Sequence, residues 1–426
     1  MQTKAYNKST GSLLSKTLAV TFLILLSASA MAQEQCKSVF SSGRAAGMPT
    51  PESVQQASRK LPAYGALKAS FKWNPDYKVL VPEQSQVRNQ CSLGTCHLYS
   101  WVSLLEQEFK AASAKEIKIS ADYLSARHWI QKSLENLSQA GGPIKIQLGA
   151  NVIHSRSLIE QYGIIPDQVW AGHAQFNQAP LSDRMTEYVQ NIIARAHSKI
   201  SKSVNQEVHA AILSQAKEQI LTAFEKQIGA FPETFEYEGQ IYTPQSFQKQ
   251  FFPELAKPVW LMSATPSQKS PTTLNQVTKT FGVISTNIDQ LEATARQLID
   301  QGLNVYLTYD HNSNYVDNRT GIMSIAAFEM PPGGGPLSRS DRQEFGFGPS
   351  GHAVQIVGYD FDPKTNKVLK WKIKNSWGKQ PGDDGYYHMF ADYFRTFAVN
   401  ISFFETSAIQ LPKIEKTVPM QGNLFF

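Results

Sequence analysis

Four residues have the chemical types needed to attack a carbonyl and carry the reaction through: Gln90, Cys96, His352 and Asn375. They fall in three separated segments, Gln90-Cys91-Ser92-Leu93-Gly94-Thr95-Cys96, Gly351-His352-Ala353 and Asn375-Ser376-Trp377-Gly378. A thiolate is the nucleophile, an imidazole takes its proton and later returns it, and an amide holds that imidazole in orientation. The tetrahedral oxyanion needs donors, a role open to the Cys96 backbone N–H and the Gln90 side-chain amide. Cys96 stands at the expected start of a helix, where unpaired N–H groups and the dipole favour an anion, so its thiol is expected to be acidified.

The elements that must position these groups follow from periodicity. Leu98, Trp101, Val102, Leu105 and Phe109 keep helical spacing, so a helix with one buried face is expected from Cys96 to about Ala112. Leu158, Ile159 and Tyr162 suggest a second helix, stopped by Gly163 and Pro166. From Met185 to Phe224 apolar residues recur mostly at four-residue steps, a strong amphipathic-helix pattern that is expected to pack on its own domain. Residues 304–309 and 352–359 read as strands, as do residues 370–374, whose strict alternation places three lysines on an expected solvated face. The run Pro331-Pro332-Gly333-Gly334-Gly335-Pro336 lacks the Lys-Ser/Thr ending of a phosphate loop and reads as a surface loop. Asp310 to Asp317 lacks the glycine and terminal glutamate of a calcium loop and is read as an ordinary loop. His128, His154, His173, His197, His209, His311 and His388 show no metal-ligand spacing, so no metal or organic cofactor is expected.

Composition bounds the class. The chain has 426 residues, 42% hydrophobic and 18% charged, the balance of a globular protein with substantial cores rather than a disordered one. Lys4, Lys8 and Lys16 precede a short apolar run, residues 18–26, and Ala30-Met31-Ala32 closes it, so residues 1–32 read as a secretory signal peptide. The run is far shorter than the ~20 residues that span a bilayer, and no later stretch approaches that length, so no stable membrane insertion is expected. Removing the signal takes away three lysines and no acidic residue, and the net charge of +6 becomes +3. That leaves little basis for a nucleic-acid partner. The expected location is exported, periplasmic or extracellular.

With these segments in hand, the sequence resembles the papain-like cysteine peptidases. The resemblance rests on Val87-Arg88-Asn89-Gln90 ahead of the nucleophile, Gly94 two residues before Cys96, Tyr99-Ser100 after it, the His352-Ala353 pair, and Asn375-Ser376-Trp377-Gly378 followed by Gly385-Tyr386. It implies Gln90 as oxyanion donor, Cys96 as nucleophile, His352 as base and Asn375 as its orienting group, with Trp377 shielding the His–Asn hydrogen bond. Cys96 and His352 are 256 residues apart, where roughly 130–150 is typical, so ~110 residues are inserted between the halves of the site. The helical segment 185–262 accounts for most of them.

That insertion, Phe231-Pro232-Glu233-Thr234-Phe235, Tyr242-Thr243-Pro244-Gln245-Ser246-Phe247 and Tyr162-Gly163-Ile164-Ile165-Pro166 look like the bleomycin hydrolase and aminopeptidase C branch. The branch is usually cytosolic and hexameric, with its C-terminus entering the cleft; the signal peptide departs from it, and the tail 411–426 has no clear match. Oligomeric state therefore stays open. His97 stands where the family usually has Trp, and adjacency on a helix turns it away from the attacked carbonyl, so packing is expected. Leu93 replaces a cysteine that is disulfide-bonded in papain, and an exported compartment permits a Cys36–Cys91 pair.

The expected fold is α+β, a two-lobed papain-like cysteine proteinase with a helical insertion. The expected organisation is a signal (1–32), an N-terminal arm or short pro-region (33–70) and a peptidase domain (71–426), divided into a helical lobe (71–184), the insertion (185–262) and a β-rich lobe (263–426). The expected activity is hydrolysis of peptide or protein substrates through a Cys96 acyl-enzyme, as an endopeptidase or aminopeptidase. A non-catalytic peptide-binding protein and an acyl-transferring transpeptidase are the alternatives.

Overall fold

Among the described residues eleven strands belong to one mixed sheet and most of the helices lie apart from it, an α+β arrangement. The computed structural model describes residues 64–409, apart from 83–85, 140, 171, 174–175, 265–271, 278–280, 348–349 and 408. The signal segment 1–32, residues 33–63 of the arm, Cys36 and the tail 411–426 lie outside the described residues.

Helix α1 (Cys96–Ser113) follows the expected apolar positions and ends where Ala114 turns left-handed, its N–H bonding Lys110 O. Helices α2 (Ala121–Ser138) and α3 (Val152–Tyr162) begin at Ser120 and Asn151, whose side chains accept the N–H groups of Tyr123 and His154. Gly163 stops α3 at φ +76°, and a Cβ there would lie 2.3 Å from Pro244 C, so only glycine permits that approach. The four-residue repeat resolves into two helices, α4 (Leu181–Ile200) and α5 (Gln206–Ile228), which pack on each other and on α2. A hairpin of β2 (Phe235–Tyr237) and β3 (Gln240–Tyr242) and helix α6 (Pro244–Phe251) complete this half. Trp129, Ile193, Ile220, Phe224 and Phe247 are fully buried in its core.

The other half is built on the sheet. Its strands are β1 (Val79–Leu80), β4 (Val259–Ala264), β5 (Thr272–Val277), β6 (Phe281–Thr286), β7 (Val305–His311), β8 (Val316–Asp317), β9 (Ile322–Met323), β10 (Ser350–Phe361), β11 (Val368–Lys374), β12 (Tyr386–Phe390) and β13 (Ala398–Phe404). Among the described residues their order is β5-β6-β4-β13-β7-β10-β11-β12-β9-β8, with β1 paired to β10. Helices α7 (Ile288–Asp300) and α9 (Ala391–Phe397) pack on it, and α8 (Arg339–Glu344) lies in the loop before β10. Helix α1 runs against β10 and β7, so it joins the two halves.

Two expectations need correction. The lysines of β11 do not form a solvated face: Lys370 and Lys374 are 2% and 4% exposed. Residues at the N-terminal side cover the first of them, where Lys370 Nζ donates to the Asn74 backbone oxygen and to Asn74 Oδ1 (3.0 Å) and lies 4.5 Å from the Tyr77 ring centre. Alternation identified the strand but could not reveal this covering chain. Likewise Asp310 to Asp317 is not a simple loop: Asp310 closes β7 in an ion pair with Arg342 (2.9 Å), and Val316–Asp317 form β8.

Candidate active site

The segment before Cys96 is laced to the segment after β11. Gly378 N donates to Arg88 O (2.8 Å) and Gln90 N to Ser376 O (2.8 Å), so the two loops run together like a short strand pair. Cys91 takes a positive φ of 55°, and its N–H reaches Asn89 Oδ1 at 2.9 Å. Ser92 is pinned to Asn177 O through both its N–H (3.1 Å) and its hydroxyl (2.7 Å). These bonds deliver the chain to the first turn of α1, where Cys96 is a free thiol. The Cys36–Cys91 pairing involves a residue outside the described ones.

His352 lies in β10 opposite Tyr309 of β7, and Asn375 directly follows β11. Adjacent strands thus bring together residues 23 apart: His352 Nε2 is 2.8 Å from Asn375 Oδ1. The same oxygen accepts the Ser376 N–H at 2.8 Å, which fixes the amide orientation. An oxygen can only accept, so His352 Nε2 carries the proton and Nδ1 of the neutral ring holds the basic lone pair. Trp377 stacks on the imidazole at 4.5 Å and 19°.

The nucleophile meets this strand directly. The backbone N–H groups of Ala353, the neighbour of His352, of His97 and of Cys96 itself favour the thiolate. Burial acts the other way and dominates, pushing the thiol up, so the expected acidification is outweighed by desolvation. Burial also pushes His352 down to about 3, against the support of Asn375. Taken singly, burial favours the thiol of Cys96 and the neutral imidazole of His352. A proton passed from one to the other leaves a pair of opposite charges, whose attraction offsets the desolvation that either would suffer alone.

Gln90 is held at both ends of its amide: Ser376 Oγ donates to Oε1 (2.6 Å) and Nε2 donates to Leu93 O (2.8 Å). An amide nitrogen has two hydrogens, so one remains for an oxyanion. Gly94 is exposed at the turn before Cys96, and a Cβ there would meet Gly149 N at 3.8 Å, so openness rather than a clash distinguishes the position.

His97 packs as expected. Its ring nitrogens bond Ser155 Oγ (2.7 Å) and Leu148 O (3.0 Å). Sequence reasoning missed its company: His128, also buried, bonds Leu148 O (3.0 Å) and reaches the half-buried His154 at 3.0 Å. Also missed were Glu106, which accepts Arg88 Nη2 (2.5 Å) and the Ile119 N–H (2.7 Å), and buried Lys374 beside Asn375. Glu106 lies on the buried side of α1, a position at which a charge in an apolar stripe was the available signal. Among the described residues no group of three or more His, Cys, Asp and Glu is arranged to hold a metal ion. No helix among them is long and apolar enough to cross a membrane.

A helical half and a sheet half joined along α1, with Cys, His, Asn and Gln meeting at the junction, define a papain-like cysteine peptidase fold. Residues 147–407 match the Peptidase C1-like family, and the chain belongs to that family of cysteine-type peptidases. It is 22% identical over 356 residues to Aminopeptidase W of Lactobacillus delbrueckii subsp. lactis, covering 75% of this chain and 81% of the relative. Identity is again 22% over 367 residues with the mitochondrial Cysteine proteinase 1 of Saccharomyces cerevisiae, covering 76% and 75%. The crystal structure of PepW from Lactobacillus rhamnosis HN001 superimposes with a TM-score of 0.66 at 17% identity, over 85% of this chain and 90% of that one.

Proposed function

We propose that this chain is an exported peptidase in which Cys96 is the nucleophile, His352 the general base and acid, Asn375 its orienting group and Gln90 an oxyanion donor. The observation that carries the reading is the His352–Asn375 hydrogen bond, which directs the basic Nδ1 away from Asn375 on a strand packed against the helix that Cys96 begins. The thiol proton passes to Nδ1 as sulfur attacks the peptide carbonyl carbon. The oxyanion is met by the Gln90 amide and the Cys96 N–H. His352 then gives its proton to the leaving nitrogen, the C–N bond breaks and a thioester remains. Water, losing a proton to His352, attacks that thioester; the C–S bond breaks, the thiol is restored and the acid departs.

Relatives named as aminopeptidases support removal of residues from peptide N-termini. Export rests on the sequence of residues 1–32 alone. Product profiling by mass spectrometry with a mixed peptide library tests the activity: successive loss of N-terminal residues is expected, internal cuts would reassign the enzyme as an endopeptidase, and absence of any cleavage by reduced protein would favour a peptide-binding role.

A further inference from the structure

His311 is a second histidine beside the base with no part in the chemistry above. It is the last residue of β7, and its ring centre lies 6.1 Å from that of His352. It stands perpendicular to Trp377 at 5.2 Å and 90°. Its Nδ1 is 3.2 Å from Tyr309 Oη, while its Nε2 is buried without a hydrogen-bond partner among the described residues. Tyr309 in turn faces His352 edge-on at 5.7 Å and 72°. The contacts close a circuit: His352 to Trp377, Trp377 to His311, His311 to Tyr309, Tyr309 back to His352.

Stacking restrains a ring along its normal but leaves it free to slide in its plane, whereas a perpendicular neighbour blocks sliding. Trp377 has two such neighbours, His311 and, at 5.9 Å and 87°, Tyr387. Tyr387 is anchored by Asn318 Oδ1 at 2.8 Å. We propose that His311 is a positioning residue for the reaction: anchored on Tyr309, its ring keeps Trp377 flat over His352. This rests on the assignment of His352 as the base.

The choice of histidine has a consequence of its own. The rings that face it are Tyr309, His352 and Trp377, and its charged neighbour on the same strand, Asp310, is paired with Arg342 of α8 (2.9 Å). Burial pushes His311 down to about 4. Burial thus favours the neutral ring, and a proton on it would oppose the charge forming on His352.

The test uses the full-length protein and fluorogenic peptide coumarylamides, with His311→Ala, His311→Phe and Cys96→Ala compared with wild type. His311→Ala is expected to lower kcat by about 10- to 100-fold, with KM within a factor of two and an unchanged melting temperature. His311→Phe keeps a ring against Trp377, so it should restore most of kcat. The proposal fails if His311→Ala retains wild-type kcat, if the loss lies in KM, or if His311→Phe loses as much. An inactive wild type, or an active Cys96→Ala, would instead overturn the assignment on which it rests.

Discussion

His352 Nε2 donates to Asn375 Oδ1 at 2.8 Å, and that oxygen also accepts the Ser376 N–H, so one amide sets both the tautomer of the base and the turn that carries it. Asn375→Ala is expected to lower kcat by roughly 10- to 10³-fold by freeing the imidazole to turn. It also leaves a buried N–H without an acceptor, costing about 1–3 kcal/mol. Chemical denaturation alongside steady-state kinetics separates the two effects; a stability loss with kcat unchanged would remove Asn375 from the mechanism.

Cys96→Ala should abolish peptide cleavage, by about 10⁴-fold or more, while the protein remains folded. Its side chain is only partly buried, and the residues that shape the start of α1 remain. A thiol-directed epoxide should label Cys96 alone in reduced wild-type protein, as read by peptide mass mapping.

Gln90→Ala removes a donor to the oxyanion and should reduce kcat by about 10²–10³-fold with little change in KM. It also strands the Ser376 hydroxyl that donates to Gln90 Oε1. The double variant Gln90→Ala with Ser376→Ala should be no slower than Gln90→Ala alone, and a further large drop would argue that Ser376 has a role of its own.

Acid should destabilise the helical half through the trio His97, His128 and His154. Burial lowers all three; it takes His128 to about 3, with the neighbouring His154 adding to the shift. The unfolded chain protonates near the ordinary histidine value, so the stabilisation is fully present above about pH 6.5 and is lost as pH falls from there toward 3. Urea midpoints between pH 7 and 4.5 should fall, and His128→Gln should flatten that slope. Equal slopes in variant and wild type would exclude His128 as a contributor.

Glu106→Gln should destabilise the protein by about 3–5 kcal/mol, because it leaves Arg88 buried without its anion. Arg88 is two residues before Gln90, and Lys374, which also feels Glu106, is one before Asn375. Activity at a fixed temperature should therefore fall with stability, and a melting temperature unchanged in Glu106→Gln would show that the buried charge is dispensable.

Several of these relationships were legible in the chain and several were not. The helix from Cys96, its buried stripe and the strand from His352 to Tyr359 are local patterns, and local periodicity reads them well. The four-residue repeat of 185–224 was visible too, though its break into α4 and α5 depended on the short turn after Ile200. The family resemblance pointed to Gln90, Cys96, His352 and Asn375 as candidates because chemistry limits which residue types serve those roles.

Strand alternation at Lys370 to Lys374 was read correctly as geometry and wrongly as exposure. The reason is physical: a strand's own sequence shows which side chains share a face, but not which distant chain covers that face. The contact between Asn74 and Lys370 spans 296 residues. The same holds for Arg88 with Glu106, for the three histidines around Leu148, and for His311 beside Trp377. By itself the sequence determined the candidate reacting groups and most of the elements that carry them. Tertiary structure decided how those groups are screened, braced and desolvated, because those depend on contacts that no local pattern records.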